Sequence, residues 1–289
     1  MNILKTLTRK LGFYRLSFPP GHYSSPIPDF QDVLNRSDEI FNSESEIQCI
    51  DLNEKKQLSL IHDLQVYFKI FPYEPQEKTG YRYYYNNRMF QQTDGLILFS
   101  IILHFKPQRI IEIGSGFSSA IILDINEHFI SKKMQISFIE PFTDRLFSLL
   151  QKTDFDNVEI INKRIQQVPL NKYDDLTDGD ILFLDTSHIL KTGSDTSFWL
   201  FNILPRLKKG VIIHIHDIFY PFEYPKEWII QQKCYNELYF IRAFLMNNDS
   251  YEILLFNSWL SQKHNNWFEK HAPFCSGTEG GSLWIRKIK

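Results

Sequence analysis

The chain has few cysteines: Cys49, Cys234 and Cys275 are its only three in 289 residues, widely separated and odd in number. That excludes a disulfide framework and any Cys-based metal spacing, and it fits a reducing, cytoplasmic compartment. Long apolar runs are also missing. The longest, Leu96 to Phe105, is too short to span a bilayer and is followed by Lys106-Pro107, so it is read as a buried helix and no stable membrane insertion is expected. The segment Met1 to Leu16 sets Lys5, Arg9, Lys10 and Arg15 among Leu4, Leu7, Leu11 and Phe13, without a continuous apolar stretch or a small-residue cleavage site. A helix docked on the protein is the preferred reading there, over a secretory signal or a membrane-surface helix. Positive charge is not in excess, the net charge being −2, which argues against a nucleic-acid partner.

What remains is the composition of an ordinary soluble globular protein, 43% hydrophobic and 23% charged, with a high aromatic share of 15%. The aromatics cluster in Tyr81 to Tyr85 and in Phe219 to Trp228, where they serve either core packing or the wall of a ligand pocket. Phe18 to Ser45, with Pro19-Pro20-Gly21, Pro26 and Pro28, reads as an irregular arm. Leu52 to Ile70 carries Leu58, Ile61, Leu64 and Phe68 on one stripe and predicts a covering helix. Residues 1–75 are therefore assigned to an N-terminal arm with covering helices, and 76–289 to the main domain. Thr93-Asp94 can cap the helix that ends before Pro107.

Strand and helix signals then alternate: Arg109 to Ile113, a helix from Ser118, Ile136 to Ile139, a helix from Thr143, Val158 to Ile161, Ile181 to Leu184, a helix before Pro205, and Val211 to Ile215. Such alternation predicts a doubly wound parallel sheet. Lys226 to Asn247 reads as one long helix. Two last strands, Tyr251 to Phe256 and Ser282 to Ile285, have no good helix between them and so are expected to pair antiparallel.

The most informative stretch is Arg109-Ile-Ile-Glu-Ile-Gly-Ser-Gly-Phe-Ser-Ser119, a buried strand, a glycine turn and a helix start. Gly114 and Gly116 allow a sharp turn and close approach to a ligand, and the helix start offers free N–H groups. Glu112, a carboxylate inside an apolar strand, must find a donor, a bound cationic ligand being one candidate. Ser119 stands where the dinucleotide fingerprint has its third glycine. Because ligands of open parallel sheets bind beyond the strands' carboxyl ends, the polar residues at those ends form the candidate site. They are Gly114, Ser115 and Gly116; Glu140, placed to grip a ribose; Arg164 and Gln166, placed to border an adenine; Asp185 and His188; and His216 and Asp217. His214, deeper on the same strand face as His216, reads as a satisfied core histidine.

From about Tyr81 to Lys289 the chain resembles the class I S-adenosylmethionine-dependent methyltransferases. Glu112-Ile-Gly-Ser-Gly116 resembles the family's first motif, with Ser118 where a third glycine often stands; Glu140 resembles its ribose-binding acid, and the last two strands its antiparallel ending. Asp180-Ile-Leu-Phe-Leu-Asp-Thr-Ser-His188 and His214-Ile-His-Asp-Ile-Phe-Tyr-Pro-Phe-Glu-Tyr-Pro225 look like a bacterial subgroup of it. The resemblance implies a Rossmann-like seven-stranded sheet with an antiparallel last strand. It also implies an S-adenosylmethionine cofactor held by Glu112, Gly114, Ser115, Gly116, Ser118, Glu140, Gln166 and Asp185, and a small-molecule or sugar-like acceptor methylated on oxygen.

Methyl transfer is an in-line displacement in which the protein positions donor and acceptor and removes an acceptor proton. His188, His216 and Asp217 are the candidate catalytic residues, a neutral imidazole being able to accept a proton near pH 7. Some O-methyltransferases of this fold bind a divalent cation through acids after the fourth and fifth strands. The positions of Asp185, His216 and Asp217 resemble that arrangement, with Mg²⁺ the cation that oxygen ligands would favour. Two competing readings are an NAD-dependent oxidoreductase, disfavoured by Ser119 and the final strand pair, and a non-catalytic cofactor-binding protein that recognises a partner through its aromatic surface. The sequence carries no signal of oligomeric state.

Overall fold

The structure, a computed structural model, describes residues 17–42, 47–131 and 133–289. The basic segment Met1 to Leu16 lies outside the described residues. Two compact units are present: residues 17–42 with Pro225–Cys234, and the remainder of the described chain. In the smaller unit the arm is not wholly irregular. Asp29 accepts hydrogen bonds from the backbone of Gln31 and Asp32 and so caps a short helix, Phe30–Asn35, followed by Ser37–Ile40. Neither helix has a buried residue.

The larger unit is built on seven strands: β1 Arg109–Ile113, β2 Gln135–Ile139, β3 Glu159–Ile161, β4 Ile181–Leu184, β5 Ile212–Ile215, β6 Tyr251–Phe256 and β7 Leu283–Lys287. Their order is β3-β2-β1-β4-β5-β7-β6. The first five are parallel and β7 is antiparallel to both β5 and β6, as the alternation and the paired ending predict. β1, β4 and β5 are near-continuous Ile and Leu runs because both of their faces are covered. Strand order reverses between β1 and β4, the place where an open parallel sheet leaves a crevice at its carboxyl edge.

Four expectations about connections change. The helix Glu54–Phe68 belongs to the sheet unit, not to a separate arm: Gln57, fully buried, accepts from the backbone N–H of Phe256 in β6. Asp94 does not cap the helix Gln92–Phe105. It lies in the first turn and accepts from Asn257 Nδ2 and from the backbone N–H groups of Gly281 and Ser282, tying that helix to the start of β7. The long helix expected over 226–247 is two helices, Lys226–Ile230 and Glu237–Leu245, because Gln232 takes a left-handed conformation and Asn236 opens the second one. Finally, the link between β6 and β7 does contain helices, Asn257–Lys263 and Asn265–His271. Their polar residues obscure the periodicity: Asn257 and Ser258 face inward, fully buried, with Trp259 and Leu260. No helix among the described residues is long and apolar enough to cross a membrane.

Candidate active site

The turn after β1 is braced from within. Glu112 is fully buried, and its two carboxyl oxygens accept from Ser118 Oγ (2.6 Å) and Ser119 Oγ (2.5 Å). Ser119 Oγ also accepts from the Gly116 N–H at 2.9 Å, so one hydroxyl links the turn to the strand. Burial pushes the Glu112 carboxyl up to about 8, with the two serines resisting. Glu112 is thereby paired within the turn, with Ser118 and Ser119 as its donors. The two serines that displace the expected glycines supply instead the donors that the buried carboxyl needs.

Gly114 has φ of +82°, and a Cβ there would fall 1.7 Å from the carbonyl oxygen of Asp185. The register explains the contact. Ile113 pairs with Leu184, so the residues leaving β1 and β4 are neighbours, and the Asp185 N–H donates to the Ile113 carbonyl. At Gly116 a Cβ would meet Arg145 Cδ at 3.2 Å. Arg145, from the helix Asp144–Leu149 that follows β2, went unnoticed in the sequence; it brings a cation to this turn and lowers the Asp185 pKa. Ser115 Oγ is buried without a hydrogen-bond partner among the described residues. Glu140 sits at the turn as expected, accepting from the Ser115 N–H at 3.0 Å and the Phe142 N–H at 2.7 Å. Gln166 is exposed and donates to the Gly193 carbonyl at 3.0 Å; Arg164 is exposed as well.

After β4 and β5 the site changes character. His188 Nε2 lies 3.3 Å from Asp185 Oδ1 and 3.2 Å from Asp217 Oδ2, while His188 Nδ1 is 2.8 Å from Glu237 Oε2. His216 Nε2 is 3.5 Å from Asp217 Oδ1, and its buried Nδ1 has no hydrogen-bond partner among the described residues. The two aspartates are the most open of these side chains, 33% exposed for Asp185 and 17% for Asp217, against 9% and 7% for the imidazoles of His188 and His216. Both loops are strained in the same way, with His188 at φ 57° and Asp217 at φ 59°. The first is clamped by Asp195, which accepts from the Ser187 backbone and hydroxyl, and by Trp199 Nε1 donating to Thr186 Oγ1.

These contacts divide the charges. Burial opposes a proton on His188, but the hydrogen bonds to Asp185 and Glu237 outweigh it and raise its pKa well above the usual imidazole range. The surrounding carboxylates thus favour the protonated ring. His216 is raised as well, burial being outweighed by Asp217, Asp185 and Asp94. Burial likewise pushes Asp185 up, but the neighbouring His216 and His188 overcome it and hold Asp185 below the usual carboxyl range. At Asp217 burial prevails and the pKa rises. His214 lies in the core as expected, stacked on Phe183 at 3.7 Å with Nε2 2.8 Å from Ser282 Oγ, but it is only half satisfied, since its buried Nδ1 has no hydrogen-bond partner among the described residues; burial depresses its pKa far below normal.

The cation site imagined at Asp185, His216 and Asp217 is not assembled. Among the described residues no group of three or more His, Cys, Asp or Glu side chains is disposed to hold a metal ion, and the His188 ring lies between the two aspartates. The aromatic clusters are largely core. Tyr83 is buried with its hydroxyl on the Phe90 carbonyl, and Phe222 and Tyr224 are each 1% exposed. Two aromatics do reach the rim. Tyr84 meets Phe117 edge-on beside the glycine turn, and Phe90 covers His216 with ring centroids 5.2 Å apart.

A glycine turn and an acid–imidazole cluster at adjacent strand ends, on a sheet closed by an antiparallel β7, describe a methyltransferase. The family described as "Methyltransferase domain" matches residues 111–218, the span from β1 to the residue after Asp217. An uncharacterised protein of Archaeoglobus fulgidus is 38% identical over 169 residues, covering 57% of this chain and 76% of the relative. Residues 111–218 thus form a methyltransferase domain, in agreement with the resemblance to the class I S-adenosylmethionine-dependent methyltransferases. Among solved structures it is similar to the SAH-bound methyltransferase PaMTH1 of Podospora anserina, at 16% identity and a TM-score of 0.47, covering 92% of this chain and all of the other. It is also similar to the O-methyltransferase TomG of Streptomyces achromogenes in complex with SAM, at 12% identity and a TM-score of 0.43, covering 90% of this chain and 96% of the other. Neither likeness is close enough to carry a residue role.

Proposed function

We propose that the protein methylates oxygen on a small-molecule acceptor, with the donor held at the β1 turn and the acceptor hydroxyl brought to Asp217. The observation that carries this reading is the contact of Gly114 with the Asp185 carbonyl, which sets a cofactor-type turn directly beside a carboxylate–imidazole cluster. The residues suit S-adenosylmethionine. The backbone at Gly114 and Gly116 admits close approach, Ser115 Oγ is a buried polar atom in need of a partner, and Glu140 offers its carboxylate at the same turn. When bound, the cofactor supplies an electrophilic methyl group.

The chain's own residues then orient the acceptor and take its proton. Asp217 is the base: it is reachable, and its pKa is raised while that of Asp185 is lowered, a splitting that marks an acid–base assignment. His216 and His188 back Asp217 on both oxygens and stabilise charge on the acceptor oxygen as it forms. Asp185 stays ionised and keeps His188 in place.

Calorimetry tests the donor half. S-Adenosylhomocysteine binds saturably, NAD does not, and Glu140→Ala weakens the binding; absence of S-adenosyl ligand binding would end the proposal. Incubation with methyl-labelled S-adenosylmethionine and a host metabolite extract tests the acceptor half, with an O-methylated product expected. Label on nitrogen, carbon or sulfur alone would overturn the oxygen assignment.

A further inference from the structure

We infer that Glu237 is a positioning residue of the methyltransferase site, orienting the His188 ring for Asp217; this rests on the functional reading above. Glu237 is distant in sequence from every motif of the site and stands at the start of the helix Glu237–Leu245. It is 2% exposed, and its Oε2 lies 2.8 Å from His188 Nδ1. Nδ1 therefore donates to Glu237, which turns Nε2 toward Asp185 and Asp217 at 3.3 and 3.2 Å.

The same helix start also grips the backbone of this loop. The N–H groups of Asn236 and Glu237 both donate to the His188 carbonyl at 3.1 Å, and the Asn236 side chain accepts from the Leu190 N–H and donates to the Leu190 carbonyl. Those contacts alone would hold His188 at its left-handed φ. A carboxylate is not needed for that, and burying one is costly unless it is paired and hydrogen-bonded. The pairing that offsets the cost here is with the imidazole whose far nitrogen faces both rim aspartates. A carboxylate that orients a histidine from behind, with a reacting group in front, is the arrangement by which hydrolytic triads fix an imidazole tautomer and direction.

The test uses the full chain with histidine ¹⁵N labelling, His188 being assigned by its loss in His188→Gln. In the wild type Nδ1 resonates as a protonated, hydrogen-bonded nitrogen; an Nδ1 in the range of a bare nitrogen overturns the inference before any variant is made. In Glu237→Gln that signal moves and broadens as the Nδ1 hydrogen bond weakens and the ring loses its fixed direction, and methyl incorporation into metabolite extract falls on the order of tenfold or more. S-Adenosylhomocysteine affinity, read by calorimetry, changes by less than about twofold, because the glycine turn is untouched. Loss of that affinity in the wild type would instead remove the functional reading. Asn236→Ala separates ring from backbone: it lowers thermal stability but leaves the His188 Nδ1 signal in place. If Asn236→Ala reproduces the Glu237→Gln spectrum, or Glu237→Gln leaves spectrum and label incorporation unchanged, Glu237 is only a structural latch. Should Glu237→Gln fail to fold, Glu237→Asp, one methylene shorter, is expected to show the same displacement of the Nδ1 signal in smaller degree, and an unchanged signal there refutes the inference.

Discussion

The two halves of the rim handle buried charge in opposite ways. At the β1 turn every carboxyl oxygen of Glu112 and Glu140 accepts from a hydroxyl or a backbone N–H, so each carboxyl on this half has its own fixed donors. After β4 and β5, by contrast, Asp185, Asp217 and Glu237 crowd onto the single imidazole of His188, and Asp217 meets His216 as well. The first arrangement suits holding a cofactor, for which a fixed shape and fixed donors suffice. The second suits chemistry, since protons there can be redistributed among groups of closely matched demand.

Breaking the first half should have the largest effect. Gly114→Ala forces a Cβ against the Asp185 carbonyl at a positive φ. A loss of roughly 2–5 kcal/mol in urea unfolding, with S-adenosylhomocysteine binding abolished, is the expected outcome. A stable, ligand-binding Gly114→Ala would show that the two loops are not pressed together. A smaller effect concerns Glu112. Its folded pKa of about 8 lies above the ordinary 4.5, so the fold takes up a proton that the unfolded chain has already released between those values. The stability this group contributes is complete below about pH 4.5 and is lost as pH rises toward 8, at a slope of at most about 1.4 kcal/mol per pH unit. Glu112→Gln should flatten that decline in melts run from pH 5 to 8; an unchanged profile would mean Glu112 is ionised in the fold. The smallest effect is expected from metal removal. With His188 between Asp185 and Asp217, EDTA followed by Mg²⁺ should change methyl incorporation by less than about twofold, whereas a large, reversible loss would restore a cation to that position.

The contrast also marks how far sequence reasoning reaches. The sheet was legible because short runs such as Ile181 to Leu184 and Ile212 to Ile215 have no reading except doubly covered strands, and the strand-end residues followed from the sheet. Glu112 and Ser118 lie in the turn that the motif marks, but the pairing of the buried Glu112 with Ser118 and Ser119 was not legible, because sequence does not say whether a side chain points outward or into the core. Glu237 was hidden for a different reason. It lies within an apolar helical pattern 49 residues beyond His188, and only the folded chain brings the two together. The signal that could have found it was local: Asn236-Glu237 opening an apolar run marks a helix start, and a carboxylate at such a start is held close to whatever the helix abuts.

The tight passage of Gly114 beside Asp185 bears on how such an enzyme can be altered. Because the backbone of Asp185 is pinned against the Gly114 turn, a change that shifts either loop shifts the other, and a substitution near the pair is tolerated only where it leaves both backbones in place. On the proposed reading, donor binding and acceptor chemistry are thereby mechanically coupled through a single peptide unit.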